Sequence, residues 1–365
     1  MADAPPFRAE HIGSLLRPQQ LLTARADHAA GRISAQQLAT AEEAAIKEAI
    51  ALQQRTGLKL VTDGEFRRAS YHGYFFARLG NISIESPPSS ADGGRGDQPL
   101  AQIRSRIRWD GPIHAADFRF LKQHSGCVPK ITIPGPCALH FRGGDAAVTA
   151  HAYADVDAFW DDIVQAFRAE LLSLAEAGCT YVQIDETAFA KFGDPAVQSA
   201  LAARGDDWST LIDRYIAVTN RVLKGLPETL SVGMHLCRGN RGGHWHAEGS
   251  YESVAGRLFN QLDIKFFFLE FDSPRAGGFA PLRLLPPGKS VVLGLVSTKS
   301  DQMESLDELR RRVDEASRLV PVERLGVSPQ CGFASVDTGN PIAPETQEKK
   351  LELVVRLADS VWGSA

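Results

Sequence analysis

The sequence predicts an α/β protein, a (β/α)8 barrel of the TIM type in one domain spanning 1–365, on three observations. Short apolar runs alternate with amphipathic helical patterns along most of the chain, the order that builds parallel strands covered by helices. Eight runs qualify as strands, and eight strands close a barrel. No GxGxxG turn opens a βα unit, which disfavours the doubly wound open sheet as the alternative. With 44% hydrophobic and 23% charged residues, the chain carries enough apolar material for one large core.

Taken in order, the strand candidates are 7–14, 58–63, 130–133, Tyr181–Asp185, 231–235, Phe266–Glu270, 291–295 and 325–328. Helices are expected over Ala35–Arg55, 156–177, 208–222, 305–319 and Pro344–Trp362, each with apolar residues at helical spacing. Asp155 offers an N-cap, and Gly57 and Gly178 stand where the preceding helices should stop. One stretch, 84–128, breaks the rhythm with the Pro- and Gly-rich SPPSSADGGRGDQ. It reads as an insertion after the second βα unit, carrying a hairpin or loop that either covers the active site or simply leaves the surface.

A net charge of −4 lacks the basic footprint that nucleic acid or an anionic membrane requires. The opening MADAPPFRAE has no basic region leading into an apolar run, so a cytoplasmic protein is expected. The five cysteines, at 127, 137, 179, 237 and 331, are odd in number and scattered, which fits a reducing compartment better than a disulfide framework. A cysteine at a strand end is then a candidate ligand or nucleophile.

Barrel enzymes keep their reactive groups at strand C-termini. Here those ends read HIGS, TDGE, PGP, QIDE, HLC, LEFDS, STK and SPQCG. His235 and Cys237 lie two apart at one strand end and share a face. Cys331 follows the last strand and Glu270 ends the sixth, so all four reach one rim. Soft thiolates beside an imidazole are what Zn2+ selects. A lone buried cysteine is ordinarily inert packing, but three such donors at strand ends point to a metal.

These motifs resemble those of the cobalamin-independent methionine synthase superfamily, in its single-barrel YxjG-like branch. The resemblance runs through HIGSLLRP (11–18), TDGEFRR (62–68) and QIDE (183–186), and becomes dense in HLCRGN (235–240), FFLEFDSPRAGGFAPLR (267–283), VVLGLVSTKS (291–300) and SPQCGFAS (328–335). It implies zinc held by His235, Cys237, Glu270 and Cys331. It also implies homocysteine bound through Ile12 and Ser14, its amino group gripped by Glu65 and Asp185. The reaction implied is methyl transfer to the thiol from a donor such as 5-methyltetrahydrofolate, giving methionine. A thiol with a pKa near about 8.5 is mostly protonated at neutral pH, and a metal removes that proton.

Two positions depart from the family pattern. Lys299 aligns with the family's general-acid histidine, and can act as acid, bind a carboxylate or lie in solvent. PGPCALHFRGG places Arg142 and Phe141 where the family has a pterin-stacking tryptophan, which leaves the methyl donor open. Zinc-dependent alkyl transfer to another thiol, similar to the epoxyalkane:coenzyme M transferases, is the alternative reaction. A zinc-stabilised binding protein without turnover is the third reading. His244, Trp245 and His246 belong to a Gly-rich loop read as a substrate cover, not a second metal site.

Overall fold

A computed structural model describes residues 4–85, 100–149 and 152–363. Its strands are β1 (Leu60–Val61), β2 (Leu79–Glu85), β3 (Leu100–Trp109), β4 (Val128–Pro129), β5 (Ile131–Pro134), β6 (Tyr181–Asp185), β7 (Ser231–Leu236), β8 (Phe266–Glu270), β9 (Ser290–Val296) and β10 (Leu325–Pro329). Six of them form one parallel sheet in the order β10-β9-β8-β7-β6-β5. Every residue of β5, β6, β8, β9 and β10 is buried, as strands covered on both faces must be.

Both edges of this sheet continue in parallel pairings. On one side β4 pairs with β1, and Lys130 N donates to Val61 O at 2.8 Å. On the other, Ala9 bridges Val327 and Glu10 N donates to Val327 O at 2.9 Å. The two outer segments meet where Thr62 Oγ1 donates to Gly13 O at 2.7 Å and Leu15 N to Gly64 O at 3.1 Å.

These edges depart from the expected strands 7–14 and 58–63. The first shrinks to the bridge at Ala9, because Gly13 turns the backbone at φ +141°. The second shrinks to Leu60–Val61, because the Gln53 side chain occupies both backbone groups of Thr62, at 2.7 and 2.9 Å. A buried polar knot lies beneath: Lys130 Nζ contacts Glu10 Oε2 at 3.1 Å and Gln183 Oε1 at 3.0 Å.

The outer helices follow local chemistry. Ala35–Arg55 begins with a capping box, Gln37 N donating to Ser34 Oγ and Ser34 N to Gln37 Oε1, and buries Ala45, Ile46, Ala49 and Ile50. Asp155 caps Val156–Glu176 by accepting from Ala158 N at 2.9 Å. Gly57 and Gly178 follow their helices at φ +92° and +87°, a conformation that favours glycine. Trp208–Leu223, Leu306–Ser317 and Pro344–Trp362 lie where the periodicity puts them. The structure adds Gln19–Ala29, Ala115–His124, Ala138–Thr149, Pro195–Ala203 and Glu252–Gln261. Among the described residues, no helix is long and apolar enough to cross a membrane.

β2 and β3 pair antiparallel, and β2 begins at Leu79, ahead of the expected start at 84. The pair seats on the outside of Val156–Glu176 through Arg106 to Asp162, at 2.7 and 2.9 Å, and Trp109 Nε1 to Glu170 Oε2, at 3.0 Å. The SPPSSADGGRGDQ segment, 86–98, lies outside the described residues.

Candidate functional site

The C-terminal ends of the parallel strands open into a cavity of about 680 Å³. Of the residues given metal, substrate or catalytic roles from the sequence, seven line it: Ile12, Ser14, Glu65, Asp185, His235, Cys237 and Cys331. None of the described residues of 84–128 does.

At the centre stand His235, Cys237 and Cys331, all buried, with one ligand atom from each within 4.8 Å of the others. Strand alternation puts His235 and Cys237 on one face at the end of β7. Cys331 arrives from β10, whose register slips between Ser328 and Pro329 and re-aims the chain beyond it. Gly332 passes close to Ser14 there, so a Cβ would displace the Ser14 hydroxyl. The thiols are free and 3.9 Å apart, and neither nitrogen of His235 has a hydrogen-bond partner in good geometry.

Hydrogen bonding between the thiols splits their acidities. Donation from Cys331 holds Cys237 well below the usual thiol range and pushes Cys331 well above it. Burial works against a charged His235, yet the negative Cys237 raises it. Buried, mutually charged soft donors with an orphaned imidazole are a set that can hold a metal ion.

Glu270 and Lys299 are not among the residues lining the cavity. The Glu270 carboxylate accepts from Arg238 N at 2.8 Å, pairs with Arg275, and meets Lys299 Nζ at 3.2 Å. Burial opposes its ionisation, but Lys299, Arg275 and Arg238 hold its pKa down at about 2. Lys299 also lies 3.8 Å from Asp272, so its ammonium sits between two carboxylates.

The two carboxylates expected to grip an ammonium, Glu65 and Asp185, both line the cavity. Burial raises Asp185 to about 7, with His235 pulling it down and Glu65 pushing it up; its Oδ1 accepts from Gln183 Nε2 at 2.7 Å. Glu65 Oε1 accepts from Thr132 Oγ1 at 2.9 Å, while Oε2 is buried without a partner. Glu65 holds a left-handed φ of +61°, its N–H donating to Asp63 Oδ1 at 2.9 Å. Such backbone costs a non-glycine residue about 1–3 kcal/mol and is kept where position matters. Ile12 O accepts from Gln183 Nε2 at 2.7 Å, and Ser14 Oγ from Ala334 N at 3.3 Å.

The cavity has further lining that sequence reasoning missed, Tyr71, His72, Lys191 and Arg241, together with His246 from the expected cover loop. His72 is 6% exposed and neither ring nitrogen has a partner. Burial lowers Lys191 to about 8 and His246 to about 4. Arg142 is outside the lining and hydrogen-bonds Tyr71. Of the Gly-rich loop's three expected cover residues, only His246 reaches the cavity; Trp245 is exposed under Arg275, 4.9 Å from its guanidinium.

Fold and site together define an α/β protein that gathers thiol, imidazole and carboxylate groups at the C-terminal ends of parallel strands. The chain belongs to the cobalamin-independent methionine synthase family: residues 147–358 match the model described as "Cobalamin-independent synthase, Catalytic domain". YxjG of Bacillus subtilis is 37% identical over 363 residues, covering 98% of this chain and 95% of the relative. The structure of a putative vitamin-B12 independent methionine synthase from Listeria monocytogenes is similar at TM-score 0.77 and 31% identity, with 99% of each chain covered. That of a B12-independent methionine synthase from Shewanella, in complex with selenomethionine, shares the fold at TM-score 0.75 and 19% identity, with 97% of each covered.

Proposed function

We propose that this chain is a zinc-dependent methyltransferase that activates the thiol of homocysteine for attack on a methyl donor such as 5-methyltetrahydrofolate, giving methionine. The observation that carries this reading is the buried His235, Cys237 and Cys331 cluster, opening into the same cavity as Glu65 and Asp185. The selenomethionine bound by the Shewanella relative is the selenium analogue of such a product and supports it. In the same reading the parallel strands, with residues 8–10 as the outermost segment, form a closed (β/α)8 barrel.

Zinc held by His235, Cys237 and Cys331, with Glu270 as the expected fourth ligand, would supply a thiolate that stays nucleophilic at neutral pH. The chain's own residues do the rest. Glu65 Oε2, buried without a partner, and Asp185 accept the substrate ammonium, while Ser14 Oγ and Ile12 position the amino acid. The walls hold sulfur and methyl carbon in line and exclude water. The sulfur–carbon bond forms as the donor's nitrogen–carbon bond breaks, and the proton lost by the thiol balances the one the departing nitrogen gains. Lys299, aligned with the family's acid, is read instead as the cation that keeps Glu270 ionised. Alkyl transfer to an anionic thiol such as coenzyme M is disfavoured by the two carboxylates beside the cluster.

The test is an anaerobic assay of the zinc-replete protein with homocysteine and a panel of methyl donors including 5-methyltetrahydrofolate, following methionine by mass spectrometry. Methionine forms with at least one donor; no methionine with any of them overturns the reading.

A further inference from the structure

We propose that Arg17 is a positioning residue that sets the spacing between Glu65 and the thiol cluster, and with it the length of the amino-acid thiol the cavity accepts. The inference rests on the amino-acid thiol reading of the cavity and adds how chain length is selected there.

Arg17 stands near the end of the HIGSLLRP motif, whose Ile12 and Ser14 line the cavity. It is buried, and each of its two terminal nitrogens donates to two backbone carbonyls. Nη2 reaches Glu65 O at 3.1 Å and Arg68 O at 2.8 Å, and Nη1 reaches Ala334 O at 2.9 Å and Val336 O at 3.3 Å. One guanidinium therefore joins the turn that carries Glu65 to the loop that follows Cys331. Burial lowers its pKa to about 10, with Glu65 the main charge opposing that, so it remains a cation at neutral pH. A buried cation is costly, and a planar fork spanning four carbonyls is a task that lysine does not copy.

Glu65 needs such a hold, because its backbone sits at φ +61°. Its carbonyl accepts from Arg17 and from Arg68 N, the latter at 3.0 Å. Backbone links between the same two segments lie beyond it, from Tyr71 N to Ser335 O at 3.1 Å and from Asp337 N to Ala69 O at 3.0 Å. Arg25 grips the turn at Phe66 O and Arg68 O rather than at Glu65. The thiol cluster is fixed separately, on β7 and β10. An amino-acid thiol held by its ammonium at Glu65 and by its sulfur at the cluster must match the gap between them. Homocysteine and cysteine differ by one methylene, and a misplacement of about 1 Å is enough to cost about a hundredfold.

The test is titration calorimetry of homocysteine and cysteine on the zinc-loaded full-length chain. The unmodified protein should prefer homocysteine by roughly tenfold or more. Arg17→Met should bring the two within about threefold, with zinc content unchanged, whereas Arg25→Met should keep the preference. Arg17→Lys, which retains the charge without the fork, should fall between and carries the test if Arg17→Met does not fold. In a Glu65→Gln background, Arg17→Met should alter homocysteine affinity by less than about twofold, since it acts through Glu65. Full preference in both Arg17 variants, an equal loss in Arg25→Met, or the same loss from Arg17→Met with and without Glu65 overturns the assignment. An unmodified protein that binds homocysteine no better than cysteine overturns it too, and leaves the thiol reading standing. One that binds neither overturns both.

Discussion

The two walls of the cavity are built differently. The thiol wall rests on β7, β10 and the sheet between them, where ladder hydrogen bonds and a fully buried core hold His235 and Cys237 in place. The cationic wall rests on residues 71–78, the five-residue helix Thr187–Lys191 and the loop after β7. Fixed chemistry on strands and substrate discrimination on loops is the division expected of a parallel-strand enzyme. The contrast teaches that the thiol cluster is fixed by the sheet, whereas the opposite lining sits on segments that can change without disturbing it.

Breaking the strand wall should have the largest effect. Cys331→Ala is expected to lose zinc and, with it, roughly a thousandfold or more in methyl transfer, because one ligand of a three-residue cluster is gone. Metal analysis beside the assay checks this, and a variant with full zinc and full rate contradicts it. Next comes Lys299→Met, which removes a cation from Glu270 without touching the cavity. It should cost about 10–100-fold in zinc affinity or rate, the range for groups that orient a metal ligand. The pH–rate profile should keep its shape; loss of its alkaline limb would restore Lys299 as the proton donor. Glu65→Gln should then raise the KM for homocysteine by roughly tenfold or more, the cost of one charge-assisted hydrogen bond, with zinc content intact.

Away from both walls the effects shrink to stability. Ser34→Ala removes a capping box far from the cavity and should cost about 1 kcal/mol in a urea melt, with the rate unaltered. The pH dependence follows from His140, buried between Trp160 and Tyr215, where burial lowers its pKa although Asp145 raises it. Its folded pKa lies below its unfolded one, so the unfolded chain binds the extra proton. The associated stability is present above the ordinary imidazole pKa of about 6.5 and is lost as pH falls toward the folded value. Urea midpoints at about pH 5 and about pH 7 should differ in that direction, and His140→Gln should narrow the difference.

Much of the fold was legible in the sequence because hydrophobic periodicity reports burial locally. The apolar runs Tyr181–Asp185 and Phe266–Glu270, and the helices Ala35–Arg55 and Pro344–Trp362, fall where their patterns predict. The edge strands were less legible: whether Thr62 pairs with a strand or with Gln53 depends on a side chain nine residues away. At the site, a thiol two residues from an imidazole at a strand end is a local pattern with one chemical reading. It needed only the parallel sheet, which carries both β7 and β10, to bring Cys331 alongside.

What the sequence by itself determined, then, was the α/β class, the run of parallel strands and the kinds of donor at their ends, since each follows from short-range spacing. Tertiary structure alone decided the partners of the charges. Lys299 meets Glu270 across 29 positions of sequence, whereas Lys191 lines the cavity with Cys237 and Glu186 as the negative groups acting on it. Coulomb energy depends on distance and burial, which no local pattern encodes. The same lysine chemistry therefore serves as a counter-charge behind Glu270 and as part of the cavity wall.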